Sequence, residues 1–434
     1  MDTIAYITDN ILCTGCGACA GICPSKAIQI KSNTAGYLLA EIHENLCNRC
    51  KKCLSVCPSN PDNVPTLDIV DIFHGTCLAG YVGYAADPLI RKKSQSGGIV
   101  TALLCYLVES GKIDGAVVNV FNKNTRRPEA SFATNKEELI AACGSYYAQS
   151  SVVKSILEIP PGKNSAAVVL GCQAMSLQLI REKYPKLQLP TITIGLICAG
   201  QYSGTMIDDL IRQTTCNTEK VEEFRFRNKN IGWPGDVHIS TAQEDYWLPK
   251  ENRFALKPVY ELHRCIACFD QMNILSDIVC GDPWGISHKQ QPEGHTVIIA
   301  RTEKGEQILR DAARDGAIII EPLLLEEIFR GETVDGRHKT KFFTSRNIFN
   351  EKNWFFPFQK DLVRDSPYTL ASEKEYHDIR ERLEYTRDIY LTTDHNEYLN
   401  KIQLKKKKVQ GNYLIKIKRN VGSIMRKILS YKRI

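Results

Sequence analysis

The chain has 434 residues, 43% of them apolar, with 17 cysteines and a formal net charge of +7. That length accommodates two or three domains of ordinary globular composition and excludes a disordered, low-complexity chain. No uninterrupted apolar run approaches the roughly 20 residues that a bilayer-spanning helix needs, and no apolar leader opens the sequence, so the cysteines are expected as thiolates in a reducing, cytoplasmic setting. Charge is uneven along the chain. Twelve Lys or Arg and no acid lie between Asn400 and Ile434, so the first 399 residues carry about −5.

Two cysteine runs of identical spacing come first, Cys13-x2-Cys16-x2-Cys19-x3-Cys23-Pro24 and Cys47-x2-Cys50-x2-Cys53-x3-Cys57-Pro58. This is the spacing of bacterial two-cluster ferredoxins, in which three cysteines of one run and the fourth of the other hold each 4Fe-4S cubane. It predicts one cluster on Cys13, Cys16, Cys19 and Cys57, and a second on Cys47, Cys50, Cys53 and Cys23. Small residues at Gly15, Gly17, Ala18 and Ala20 let backbone N–H groups approach the sulfurs. Paired zinc sites use C-x2-C pairs instead, and a disulfide framework suits another compartment. Pro58, Pro61 and Pro65 mark an exit linker, which gives a ferredoxin-like α+β module over residues 1–64.

A second region follows, over 75–160. Ser94-Gln-Ser96-Gly97-Gly98 precedes an apolar helix from Ile99 to Val108, and Asp114 to Val120 reads as a buried strand. The serine–glycine turn offers backbone N–H groups at a helix start, an anion site suited to a cofactor phosphate or a flavin; it is also an ordinary N-cap. The alternation recurs over 161–335. A strand at Ala166–Leu170 precedes Gly171-Cys172-Gln173 and a helix through Arg181, and a strand at Thr191–Ile197 ends at Cys198. These are α/β units with ligand groups at the carboxyl ends of strands. Arg264-Cys265-x2-Cys268 adds a later cysteine loop. Cys172, Cys198, Cys265 and Cys268 are the expected ligands of a third cubane, with zinc or free thiols as the rival readings. Cys77, Cys105, Cys143, Cys216 and Cys280 are assigned to packing. Asp270, Asp277 and Asp282 are acids near the loop, and capping or salt bridging is the ordinary role for each.

Strand, helix and strand follow from Thr296 to Ile320, and residues 336–399 form an extension without a recognisable motif. In the tail, 400–434, Lys405–Lys408 precede Leu414, Ile417, Val421, Ile424 and Ile428 at three- and four-residue spacing, a basic amphipathic helix. It suits attachment to an anionic membrane surface at the inner face, or docking on an acidic partner, including this chain's own body; the apolar stripe argues against nucleic acid.

The order of Ser-Gln-Ser-Gly-Gly-Ile-Val-Thr-Ala-Leu-Leu (94–104), Ile-Asp-Gly-Ala-Val-Val (113–118), Gly171-Cys172-Gln173, Gly195-Leu-Ile-Cys198, Gly232-Trp-Pro-Gly235, Arg264-Cys-x2-Cys268-x-Asp270 and Gly281-Asp-x-Trp284 resembles the beta subunits of coenzyme F420-reducing hydrogenases and dehydrogenases. The resemblance spans roughly residues 1–300. The chain reads Leu170-Gly171-Cys172 where that family often has Gly-Thr-Pro-Cys. The resemblance implies FAD beside Ser94, Ser96, Gly97 and Gly98, a cluster using Cys265 and Cys268, and an α/β flavin-binding domain fused to the ferredoxin-like module. Clusters carry single electrons whereas reduction of an organic acceptor takes two, so a flavin is expected between them. Three functions follow. One is an iron–sulfur flavoprotein oxidoreductase fed by an external electron donor, set in cell-surface polysaccharide synthesis because the family includes proteins encoded among such genes and the tail seeks membrane. A second is an electron-transfer component of an F420-reducing hydrogenase or dehydrogenase complex. The third is a ferredoxin fused to a docking domain, with no catalysis.

Overall fold

The computed structural model describes residues 3–63, 71–286, 289–358 and 369–411. The N-terminal part contains α1 (Ala5–Asp9), α2 (Ala18–Ile22), an antiparallel hairpin of β1 (Ile28–Ser32) and β2 (Leu38–Ile42), and α3 (Lys52–Ser55). The middle continues with β3 (Ala79–Ala85), α4 (Pro88–Lys93), α5 (Ile99–Glu109), β4 (Gly115–Asn122), β5 (Arg127–Ala133), α6 (Lys136–Ala141), α7 (Val152–Leu157), β6 (Ser165–Val169), α8 (Gly171–Lys183), β7 (Ile192–Leu196) and α9 (Thr205–Arg212). Then come β8 (Val221–Asn228), β9 (Asp236–Thr241), β10 (Asp245–Leu248), α10 (Lys250–Tyr260), α11 (His263–Ile266), β11 (Ile278–Gly281), β12 (Thr296–Ala300), α12 (Glu303–Arg314), β13 (Ile318–Pro322), α13 (Leu325–Gly331), α14 (Lys339–Glu351) and α15 (Glu373–Leu391).

Eight strands form one mixed sheet in the order β13-β3-β12-β11-β7-β6-β4-β5. Its centre, β11-β7-β6-β4, is parallel. The reason is in the sequence: Gly115–Val118, Ser165–Ala167 and Ile192–Gly195 are continuously buried, as strands covered on both faces must be. The flanks are antiparallel, with β3 paired to β12 and β13 on one side and β5 paired to β4 on the other. That insertion of β3 was not legible from the alternating units. It brings the Ser94–Gly98 turn to the end of the sheet where β6, β7 and β11 finish. A separate three-stranded sheet, β10-β9-β8, lies beside it.

The N-terminal module is held against the large sheet by named bonds. The Val153 N–H donates to the Cys16 carbonyl at 3.0 Å, Ser176 Oγ to the Val56 carbonyl at 2.7 Å, and Lys183 Nζ to the Ser55 carbonyl at 2.9 Å. Gly17 is required at one contact, because its φ is +82° and an added Cβ would lie 2.7 Å from Lys154 Cβ.

The motif-free extension is a brace. α14 and α15 pack on the 261–269 segment, where His263 Nδ1 meets Thr386 Oγ1 at 2.9 Å and Arg382 grips the Glu261 carboxylate, with Nη2 2.8 Å from Oε1. Phe73, Phe342, Phe343, Phe349, Phe356 and Phe358 form the aromatic core beneath it. Residues 395–411 are helical. Three of the expected membrane-seeking lysines are paired within the chain: Lys405 and Lys408 with Glu381 at 2.8 and 2.7 Å, and Lys406 with Asp209 at 2.6 Å. The stripe from Leu414 to Ile428 lies outside the described residues. Among the described residues no helix is long and apolar enough to cross a membrane.

Candidate functional site

The two N-terminal cysteine runs share one backbone geometry. Gly15 and Arg49, two residues after Cys13 and Cys47, have φ of +70° and +56°, and each donates its N–H to the preceding cysteine sulfur at 3.4 Å. Gly17 and Lys51 repeat the left-handed conformation, with φ of +82° and +60°, immediately before α2 and α3. For arginine and lysine that conformation costs roughly 1–2 kcal/mol each. Such a cost is sustained where backbone donors must converge on a negative centre.

The N-terminal thiols lie close enough to act on one another. Cys13, Cys16 and Cys57 all act electrostatically on Cys19, and so does Cys53 of the neighbouring run. Burial pushes the Cys13 thiol up to about 11 and raises Cys16, Cys19 and Cys57 as well. In the other run, Cys47 and Cys50 act on Cys53. The fourth expected member, Cys23, takes hydrogen bonds at its sulfur from the Ala27 N–H at 3.3 Å and faces Ser25 Oγ at 3.5 Å. No thiol is among its principal electrostatic neighbours.

The later cysteines also meet. Cys172, at the start of α8, Cys198, just past β7, and Cys265 and Cys268, on and after α11, line one small recess together with Arg264, Asp270, His338 and Lys341. Burial drives Cys198 and Cys265 up to about 12 and Cys172 higher still. Buried thiols this reluctant to ionise become thiolates only where cations meet them, and the iron of a bound cluster would supply that charge. Among the described residues, no group of three or more His, Cys, Asp or Glu closes on a single metal ion. A cubane sets its ligands at separate corners, farther apart than the sulfurs around one zinc at about 2.3 Å Zn–S. The donor set fits a cluster.

The recess opens beside a cavity of about 620 Å³ at the carboxyl ends of the parallel strands, where α/β sheets bind ligands. Leu170, Cys198, Gly200, Gln201, His338 and Lys341 belong to the walls of both. Ser94, Ser96 and Gly98 line the cavity at the start of α5, where Gly98 has φ +86° and no side chain caps the helix. Gly97 sits behind them. Its N–H donates to Thr296 Oγ1 at 3.0 Å, and an added Cβ would lie 2.5 Å from the Gly83 carbonyl oxygen. Ser94 Oγ donates to Cys143 Sγ at 3.7 Å, and Ser96 Oγ donates to the His295 carbonyl.

Charge in the cavity is predominantly positive. Arg227, Arg253, Lys257, Arg337 and Lys341 face two acids, Asp282 and Glu332. Arg253 is 2% exposed, yet its Nε and Nη2 have no hydrogen-bond partner among the described residues. Burial, with Arg253 and Arg227 nearby, lowers Lys257 to about 8. Burial, with the Asp282 charge adding to it, raises Glu332 to about 8 although Gln271 Nε2 donates to its Oε2 at 3.0 Å. A neutral Glu332 leaves the walls strongly cationic, suited to phosphate- or carboxylate-bearing ligands.

The three aspartates expected near the loop have separate roles. Asp277 is a cap away from the cavity, accepting from Thr193 N–H at 2.8 Å and Thr302 Oγ1 at 2.9 Å. Asp282 is spent on Arg227, whose Nη2 donates to its Oδ1 at 3.1 Å, and on Trp233 Nε1, also at 3.1 Å. Asp270 belongs to the cysteine recess, raised by burial to about 6, with Oδ1 accepting the Ile274 N–H at 3.1 Å. The sequence reading missed Arg227, Arg253, Lys257 and Glu332. None lies in a short motif; only the pairing of Arg227 with the Gly281-Asp282 turn could have drawn attention to one of them.

Residues 162–324 match the C-terminal family model of the coenzyme F420 hydrogenase/dehydrogenase beta subunit, residues 80–157 match the corresponding N-terminal model, and residues 12–60 match a 4Fe-4S dicluster domain. The chain is 28% identical over 289 residues to the coenzyme F420 hydrogenase subunit beta of Methanothermobacter thermautotrophicus, covering 63% of this chain and 94% of that one. It is 25% identical over 276 residues to the coenzyme F420 hydrogenase subunit beta of Methanosarcina barkeri, covering 61% and 87%. A solved structure of the F420-reducing NiFe hydrogenase complex from Methanosarcina barkeri contains a chain of the same fold, with TM-score 0.51 and 23% identity over 65% of this chain and 94% of that one. Motif order, matched models and relatives agree: the chain belongs to the family of coenzyme F420 hydrogenase/dehydrogenase beta subunits.

Proposed function

We propose that this chain is an electron-transfer subunit of an oxidoreductase complex, carrying electrons between a partner subunit and a two-electron organic acceptor of the F420 class. Residues 1–64 act as a two-cluster ferredoxin module, with Cys13, Cys16, Cys19 and Cys57 on one 4Fe-4S cluster and Cys47, Cys50, Cys53 and Cys23 on the other. Cys172, Cys198, Cys265 and Cys268 hold a third, and FAD occupies the cavity with Ser94, Ser96, Gly97 and Gly98 at its phosphate or ring edge. When bound, the clusters exchange electrons singly and the flavin exchanges them in pairs. The chain's own part would be to hold the anionic cofactor and acceptor with Arg253, Lys257, Arg337 and Lys341, and to keep a proton on Glu332 in the wall of the same cavity.

The observation that carries this reading is the shared wall between the cysteine recess and the cavity, through Leu170, Cys198, Gly200 and Gln201. A stand-alone flavin reductase working on cell-surface precursors has less behind it, because Lys405, Lys406 and Lys408 are engaged by Glu381 and Asp209. Anaerobic purification with iron, sulfide and flavin quantified is the test. About twelve irons with one FAD, and reduction of F420 by dithionite-reduced protein, is the expected result. About eight irons and no flavin would leave only a ferredoxin with a docking domain.

A further inference from the structure

Arg264 is 2% exposed and stands between the two buried cysteine groups. Its Nε donates to Ser59 Oγ at 2.7 Å and its Nη2 to the Pro58 carbonyl at 3.1 Å, both just past Cys57. Its Nη1 points to Cys268 Sγ at 3.8 Å, and its guanidinium lies 4.9 Å from the centre of the Phe358 ring. Ser59 Oγ in turn donates to the Leu12 carbonyl at 2.8 Å, next to Cys13. The fork therefore holds the Pro58-Ser59 turn that follows Cys57 with two prongs and reaches Cys268 with one.

Its electrostatic partners are distributed the same way. The Arg264 charge bears on Cys13, Cys16 and Cys57 on one side and on Cys172, Cys265 and Cys268 on the other. Cys16 and Cys172 act on one another across the gap. Arg264 makes no ion pair with a carboxylate among the described residues. Burying an unpaired guanidinium costs several kcal/mol. With clusters bound, the thiolate charge of the two groups would compensate it, and Asp270 also lies within reach of its charge.

We propose that Arg264 is the bridge between the first ferredoxin cluster and the third cluster, locking the two at a fixed separation and raising the reduction potential of both. This rests on the ligand sets assigned under the proposed function. With both clusters bound, one electron supplied by a donor protein would leave the Cys13, Cys16, Cys19 and Cys57 site as one arrives at the Cys172, Cys198, Cys265 and Cys268 site. No bond forms and no proton moves. A buried positive charge would favour the more negative, reduced state of each site, and it reaches both because it sits between the turn after Cys57 and Cys268. Arg264 is thus a positioning residue shared by donor and acceptor, and Arg rather than Lys is required because three directions must be served by one planar fork.

The test is an EPR-monitored redox titration of the full chain, purified anaerobically, as wild type, Arg264→Gln and Arg264→Lys. In Arg264→Gln at wild-type iron content, two of the three cluster potentials are expected to fall together while the third, that of the Cys47 run, stays in place. In Arg264→Lys the same two fall by less. Potentials unchanged in Arg264→Gln, or a shift confined to one cluster, would overturn the bridge. If either variant loses iron, simultaneous loss from both sites supports it and loss from a single site overturns it. Wild-type protein with about eight irons would instead sink the third ligand set itself, an outcome distinct from three clusters that ignore Arg264.

Discussion

Arg227 and Asp282 form a buried two-pronged ion pair that fastens β8 of the small sheet to the turn after β11 of the large one. Arg227 spends its remaining donors on the Pro234 and Gln95 carbonyls and the Tyr147 hydroxyl, so one side chain joins several loops around the cavity. Asp282 is held below the ordinary carboxylate range by that guanidinium, against the effect of its burial. A depressed carboxyl stabilises the fold above its unfolded pKa, and the contribution disappears as pH falls through the folded value. Asp282→Asn strands the Arg227 charge and is expected to cost about 3–5 kcal/mol, read as a lowered midpoint in urea at neutral pH.

Glu332 behaves in the opposite sense. Its carboxyl is raised to about 8, so the folded chain holds a proton that the unfolded chain releases near the ordinary value of 4.5. The destabilisation is absent below the unfolded pKa, grows as pH rises between the two values, and is complete above the folded one. Glu332→Gln is therefore expected to melt with the wild type at about pH 4 and clearly above it at about pH 9. Parallel melting curves at both pH values would exclude a protonated Glu332.

Removing one cysteine of the recess tests its independence from the N-terminal runs. Cys172→Ser is expected to lose about four of about twelve irons and to leave the ferredoxin-type spectrum intact. Loss of all iron, or of none, is the contrary outcome, and colorimetric iron with visible absorbance distinguishes them.

Arg253 carries two unsatisfied buried nitrogens in a cavity built for anions. Arg253→Met removes that desolvation cost, so the ligand-free protein should gain about 1–3 kcal/mol. Flavin affinity should weaken by about tenfold, equivalent to about 1.4 kcal/mol. Fluorescence titration of the deflavinated protein and a melting curve read the two effects separately.

What could be read from the sequence follows from interaction range. The strand–turn–helix units at Gly115–Asn122, Ser165–Lys183 and Ile192–Leu196 are local apolar patterns, and they form as the patterns predict. The order β13-β3-β12 depends on pairings between Ala79–Ala85 and residues more than 200 positions later, for which no local signal exists. The cysteine spacings declared their chemistry because one cubane fixes several covalent positions in a short loop. The cations of the cavity did not, since Arg227, Arg253, Lys257 and Arg337 come from separate segments and only folding collects them. The extension after residue 335 read as featureless because its task is packing: Thr386, Arg382 and Phe358 matter through His263, Glu261 and Arg264, each distant in sequence.

The two cysteine runs are alike in backbone and unlike in their access to solvent. In the proposed ligand set of the second cluster Cys50 and the residues 48–51 around it are exposed and Cys53 is buried, whereas in that of the first Cys16, Cys19 and Cys57 are all buried. Under the proposed relay the chain is a conductor with one bare terminal and one insulated end. A small outer-sphere oxidant meets the bare terminal first, so bleaching by ferricyanide should begin with the cluster of Cys47, Cys50 and Cys53, and oxygen damage should be gated there rather than at the cavity.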